Sequence, residues 1–183
     1  MEITILRSRR KTLALQVGPD GRILARAPLQ MPESDIICFA ESKRPWLEKT
    51  QARVNAERQQ AEAAGVFTPD ELDRAARQTA RLLAERLAYY APLLGVTYRK
   101  VAVRKQRSRW GSCNTRGNLS FNCLLALAPR EVLDYVVVHE LCHRKHMDHS
   151  PAFWREVKNA FPDYEDARRW LNTDGLVLLR RLP

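Results

Sequence analysis

All four histidines of this 183-residue chain, His139, His143, His146 and His149, fall within "VVVHELCHRKHMDHSPAFW", residues 136–154. The residues before them, 132–138, are almost all apolar, so the helix they belong to is expected to be buried where the imidazoles begin. His139 and His143 are four apart, which sets them on one helical face about 6 Å apart along the axis. Both rings can then converge on one point. Glu140 between them completes H-E-x-x-H, two zinc ligands with a carboxylate next to the metal-bound water. A chain with this pattern has to present the end of a buried helix to a cleft.

His149 lies six residues beyond His143, the offset of the third ligand in H-E-x-x-H-x-x-G-x-x-H. His146 stands where that longer motif has its glycine, which leaves the route of the turn open. A turn is signalled independently: Met147 and Asp148 precede Ser150 and Pro151, the N-cap and first residue of a new helix. The helix must therefore end soon after Lys145, and His149 can swing back. His146, three residues from His143, is an alternative third ligand, as is a carboxylate such as Glu156. Three histidines along one straight helix would spread over about 10 Å, too far for bonds of about 2.0 Å to a single ion, which favours His149. Three protein ligands leave one position open, the arrangement of catalytic rather than structural zinc. Zinc brings the pKa of its water to about 7, and Glu140 is placed to take the proton.

Elsewhere the chain is punctuated by turn and cap residues. "TLALQV" and "RILARA" flank "GPDG" and read as a β-hairpin. Residues 31–65 are helical in composition, with Pro45 dividing them near Lys43 and Gly65 ending them. Thr68 caps the next helix, with Pro69 in the first position and Glu71 completing a capping box. Leu72, Ala76, Leu83 and Leu87 form its apolar stripe, and Gly95 follows its end. "VTYRKVAVR" alternates like a strand, "KQRSRWGSCNTRGN" reads as a loop and "LSFNCLLAL" as a second strand. Pro129 opens the histidine-bearing helix.

The net charge is +10, and no acid occurs between Glu85 and Glu131. A basic surface of that kind suits a polyanion such as nucleotide or nucleic acid, or serves only solubility. The four cysteines are far apart with no C-x-x-C pair, so neither a disulfide framework nor a four-thiolate site is suggested. Cys142 reads as a small buried apolar side chain. No stretch approaches the roughly 18 apolar residues that would cross a bilayer, so no membrane association is expected. The opening "MEITILRSRRK" lacks a secretory h-region, and the cytoplasm is the expected location.

"RSRWGSCNTRGNLSFNCLLALAPREVLDYVVVHELCHRKHMDHSPAFWREVKNAFPDYEDARRWL" closely resembles the YgjP-like metal-dependent hydrolases, small zincins related to the SprT-like and WLM metalloproteases. "RSRRKTLALQVGPDGRILARAP" is similar to that family's opening hairpin. The resemblance implies that His139, His143 and His149 hold zinc and that Glu140 is the catalytic base. It also implies that "RWGSC" (109–113) and the strand "NLSFN" (118–122, ending in Asn122) border the cleft, the strand pairing with an extended peptide. Trp110 either borders the cleft or packs in the core under the loop. Arg107 and Arg109 either hold an anionic substrate group or are solvated. Relatives usually carry a further β segment before the helix that begins at Pro69; here "AAGVFTPDELDR" passes almost directly from one helix to the next.

The expected fold is α+β, a zincin-like small mixed sheet packed on the H-E-x-x-H helix, with an N-terminal β-hairpin and helices. Residues 1–65 would form the hairpin-and-helix part and 66–183 the metallohydrolase domain, together as one compact unit. The expected activity is zinc-dependent hydrolysis of an amide bond in a peptide or protein. Two alternatives use the same metal site: a nucleoside triphosphate pyrophosphatase of UTP type, its triphosphate held by the basic stretch 99–116, and a nucleic-acid-associated protease docking through that stretch.

Overall fold

Glycine-bearing turns and a proline break organise the N-terminal part. The computed structural model describes residues 2–183 and separates into two units, Met1–Ala63 and Ala64–Pro183. In the first unit the strands are β1 (Ile3–Ser8), β2 (Ala14–Val17) and β3 (Ile23–Pro28). β2 and β3 form the expected antiparallel hairpin, Val17 opposite Ile23. Gly21 turns the chain between them at φ 83, a conformation that costs glycine little. β1 adds in parallel on the far side of β3, giving the order β1-β3-β2. Alternation along β3 buries Ile23, Ala25 and Ala27 on one face. α1 (Glu33–Ser42) and α2 (Arg44–Ala64) bury Ile36, Ala40 and Leu47. The break between these two helices falls at Lys43, two residues before Pro45, which takes an early helical position where no N–H is needed.

Gly65 (φ 72) follows α2, and residues 65–68 lead straight into α3 (Pro69–Leu93). The Thr68 capping box forms as expected, with reciprocal bonds to Glu71. Its buried face is Leu72, Ala75, Thr79, Leu83, Leu87 and Tyr90. Ala76, assigned to the stripe from sequence, is only half-buried. Ala75 and Thr79 take the inward positions because the buried residues recur every three or four along the helix.

The second sheet comprises β4 (Lys100–Arg104), β5 (Gly111–Cys113) and β6 (Asn118–Asn122) in the order β4-β6-β5. β4 runs parallel to β6 and β5 antiparallel, so the sheet is mixed. Two expectations are corrected. The segment 105–118, read as loop, contains β5. The second strand, read as 119–127, stops at Asn122 and continues as a 3-10 helix over Cys123–Leu127. The cause is polar: Asn122 Oδ1 accepts from Leu124 N at 3.1 Å, and Thr79 Oγ1 donates to Cys123 O at 2.7 Å while accepting from Ala126 N at 3.0 Å. A buried threonine on a neighbouring helix thus supplies the partners that a continuing strand ladder would have given.

α4 (Arg130–Cys142) lies against this sheet, with Val137, Val138 and Leu141 in one cluster with Leu83, Leu119, Phe121 and Phe153. α5 (Pro151–Ala160), α6 (Tyr164–Leu171) and α7 (Asp174–Arg180) complete the unit. Arg86 of α3 locks α4 with a two-pronged pair to Asp134, Nε to Oδ1 at 2.6 Å and Nη2 to Oδ2 at 2.7 Å. Tyr90 Oη donates to the same carboxylate at 3.3 Å. The fold is α+β, as expected. No helix among the described residues is long and apolar enough to cross a membrane.

Thr79→Val keeps the side-chain shape but strands the Cys123 carbonyl and the Ala126 amide. Urea unfolding is expected to show a loss of about 1–3 kcal/mol with an unchanged slope; no loss would mean the hydroxyl does not hold the 3-10 helix.

Candidate metal centre

His139 occupies the last turn of α4, and His143 is its C-cap residue. The chain then reverses in a tight series of bonds: Arg144 N to Leu141 O, and Lys145 N and His146 N to Cys142 O. Ser150 accepts from Phe153 N at 3.5 Å to cap α5, with Pro151 in its first turn. No non-glycine residue among those described has positive φ. The glycine of the longer motif is therefore dispensable here, because this reversal is made with ordinary backbone angles.

The reversal brings His149 Nε2 to 3.1 Å from His139 Nε2. One ring nitrogen from each of His139, His143 and His149 lies within 4.8 Å of the other two. His146 enters through its backbone instead: His143 Nδ1 donates to His146 O at 2.9 Å. A carbonyl can only accept, so that bond places the His143 proton on Nδ1 and leaves Nε2 with a free lone pair. His139 Nδ1 similarly faces Tyr135 Oη at 3.4 Å. Phe153, fully buried, lies under all three rings, with centroids 4.9, 4.6 and 4.8 Å from those of His139, His143 and His149. Glu156 is elsewhere, paired with Lys145 Nζ at 2.6 Å.

Burial keeps His139 and His143 neutral. His139 is pushed down to about 3, first by burial and then by the neighbouring histidines. His143 is also lowered, chiefly by burial. Neutral imidazoles are the form that binds a metal. Glu140 is 5% exposed and pushed up to about 8 by burial, with Arg109 opposing. Its Oε2 is buried without a hydrogen-bond partner. A partnerless buried carboxyl is costly, and a cation at the adjacent imidazoles would offset that cost. The donor set and this orphaned oxygen therefore fit a divalent metal; nitrogen donors without carboxylates suit zinc-like ions rather than magnesium or calcium.

β5 roofs the carboxyl. A Cβ on Gly111 would sit 2.5 Å from Glu140 Oε1 and 2.7 Å from its Cγ, so only glycine allows this approach. β6 is the central strand, with both edges bonded, and cannot pair with a peptide. The free edge nearest the carboxyl belongs to β5, which corrects the strand assignment made from sequence. Asn122 is corrected as well: it is fully buried, and its Nδ2 donates to Gln106 O and Arg109 O at 2.6 and 2.8 Å. With its amide spent on backbone, it shapes the 106–109 loop rather than meeting substrate. Arg107 is turned to the Pro183 carbonyl. Arg109 is exposed and, with Trp110, borders a cavity of about 210 Å³ that reaches Glu140 and His139. Trp110 is half-buried against Trp170, with centroids 6.2 Å apart, so it both packs and lines the cleft.

Tyr135, Phe153 and the His146 carbonyl were not identified from sequence, whereas Gly111 lies within the "RWGSC" segment expected to border the cleft. Tyr135 had a usable signal, four residues before His139 on the same helical face. Phe153 and the His146 carbonyl had none.

A family model described as YgjP-like, metallopeptidase domain, matches residues 11–73 and 67–174. The chain belongs to the YgjP-like family. Its two matched stretches overlap over 67–73, where the α2–α3 connection runs into the start of α3. Membership makes this YgjP-like protein a metal-dependent peptidase, with the three-histidine cluster as a group that could hold the ion. No curated protein matches the chain. Among solved structures, the metallopeptidase zymogen abylysin of Pyrococcus abyssi is similar, at 24% identity and a TM-score of 0.45, over 49% of this chain and 92% of that one.

Asn122→Ala is expected to lower unfolding stability by about 1–3 kcal/mol, since it strands two carbonyls and an amide; unchanged stability would return Asn122 to the candidates for substrate contact. Gly111→Ala is expected to displace Glu140 and reduce peptide turnover more than it reduces the unfolding midpoint, and wild-type turnover in this variant would contradict the observed contact.

Proposed function

We propose that this YgjP-like protein is a zinc peptidase in which His139, His143 and His149 hold the ion and Glu140 is the base. The observation that carries the reading is the orphaned Glu140 oxygen, buried next to imidazoles whose Nε2 atoms come within 3.1 Å. Zinc is favoured because three nitrogen ligands leave one position open and the ion is redox-inert. When bound, it supplies a Lewis acid that acidifies water and stabilises negative charge on a carbonyl oxygen.

The remaining work falls to the chain. An extended peptide would add to the free edge of β5 by backbone hydrogen bonds, which carries its carbonyl past Gly111 towards Glu140. Glu140 would take a proton from the attacking water and deliver it to the departing amine nitrogen. Burial keeps its affinity for that proton high. Arg109, exposed beside the cleft, would meet an anionic group or the polarised carbonyl of the substrate. The peptide reading is preferred over a triphosphate because two basic residues of the stretch are engaged elsewhere, Arg107 with Pro183 and Lys105 with Asp73 at 3.3 Å, and little of the rest reaches the site. Arg109 is the one basic residue of 99–116 that lines the cavity at Glu140.

Zinc at a hundredfold excess over its Kd is expected to stabilise the protein by about 2.7 kcal/mol, and His149→Ala should abolish that increment. Glu140→Gln should bind zinc yet hydrolyse peptides about 10²- to 10⁴-fold more slowly. Hydrolysis of nucleoside triphosphates but not peptides by the zinc-loaded protein, lost in Glu140→Gln, would replace the proposed substrate.

A further inference from the structure

We propose that the cavity of about 210 Å³ beside Glu140 selects the substrate, receiving a phenyl or long aliphatic side chain from a residue flanking the scissile bond. This rests on the peptidase reading and names the substrate class for the same site. The cavity is lined by Trp110, Tyr135, Val136 and Leu171 together with His139 and Glu140. A side chain entering it lies against the carboxyl whose Oε2 is buried and partnerless.

Three properties define the occupant. The first is size: a dry apolar cavity of about 150 Å³ binds benzene, so 210 Å³ has room for a phenyl ring. The second is wall chemistry. Two aromatic and two aliphatic side chains form half of the lining, and the Tyr135 hydroxyl faces His139 Nδ1 at 3.4 Å, so these walls reward apolar contact. The third is charge. Arg109 is the one cationic side chain of the lining and is exposed, so a lysine or arginine on the substrate would enter against like charge.

The strand geometry supplies the delivery. Gly111 begins β5 and also lines the cavity. A peptide paired to that edge turns every second side chain to the same face, and at Gly111 no side chain of the strand itself blocks the entrance.

The test compares full-length, zinc-loaded wild type with Leu171→Trp, which fills the cavity from α6. Peptides carry Phe, Leu, Ala or Lys at either residue flanking the cleaved bond. In the wild type, kcat/KM for Phe and Leu should exceed that for Ala by about 10- to 100-fold at one of the two positions, with Lys lowest. In Leu171→Trp the Phe-to-Ala ratio should fall towards one. The ratio is taken within each protein, so partial loss of folding or metal cancels. A wild-type ratio near one, or a ratio unchanged in Leu171→Trp, overturns the proposal.

A second measurement does not depend on turnover. N-acetyl-phenylalaninamide, but not the alanine analogue, should shift the Trp110 indole N–H resonance of metal-free protein, and Leu171→Trp should remove the shift. No shift with either amide overturns the subsite. A Phe-specific shift without cleavage of any peptide supports the subsite while removing the peptidase reading.

Discussion

Two imidazole nitrogens that face each other at 3.1 Å, with the Nδ1 proton of a third ring tied behind it by a carbonyl, gather nitrogen donors where a cation could sit. Burial disfavours protonating His139 and His143, as their downward shifts record, which leaves them in the form that binds a metal. The surrounding structure keeps the rings in that cluster. Phe153 seals their underside, and the Ser150 cap holds α5 where Phe153 must stand.

The cluster is sustained by a frame some distance from the rings. Arg86 and Tyr90 grip Asp134 in the turn of α4 before the ligands, and Thr79 anchors the chain where it leaves β6. These polar contacts are buried, so removing one partner leaves the other unsatisfied. They fix α4 against α3 and the sheet in one arrangement. The close approach of Gly111 to Glu140 depends on that registration: a sheet displaced by an ångström would either expose the carboxyl or collide with it.

Much of this was legible in the sequence where the signal is local. The caps at Thr68 and Ser150, the breaks at Lys43 and Gly65, the hairpin at Gly21 and the H-E-x-x-H face all follow from the short-range preferences of a few residues. The misreadings lie where distant residues compete. Residues 123–127 are apolar enough for a strand, but Asn122 and Thr79 supply hydrogen bonds that curl them into a 3-10 helix. β5 is three residues long, too short to show a period, and exists because β6 offers it a partner. Asn122 resembled a cleft residue because it ends a strand near the site; its burial was set by the 106–109 loop folding over it.

By itself the sequence determined that two imidazoles and a carboxylate share the end of one apolar helix and that the chain must turn before Ser150, because i, i+4 spacing and capping chemistry are properties of neighbouring residues. Only the tertiary structure decided that His149 returns to the cluster while His146 contributes a carbonyl. It also decided that β5 rather than β6 offers its edge, and that Trp110 and Leu171 enclose a cavity beside Glu140. Those outcomes depend on which segments far apart in the chain bury one another, and side-chain spacing carries no record of that choice.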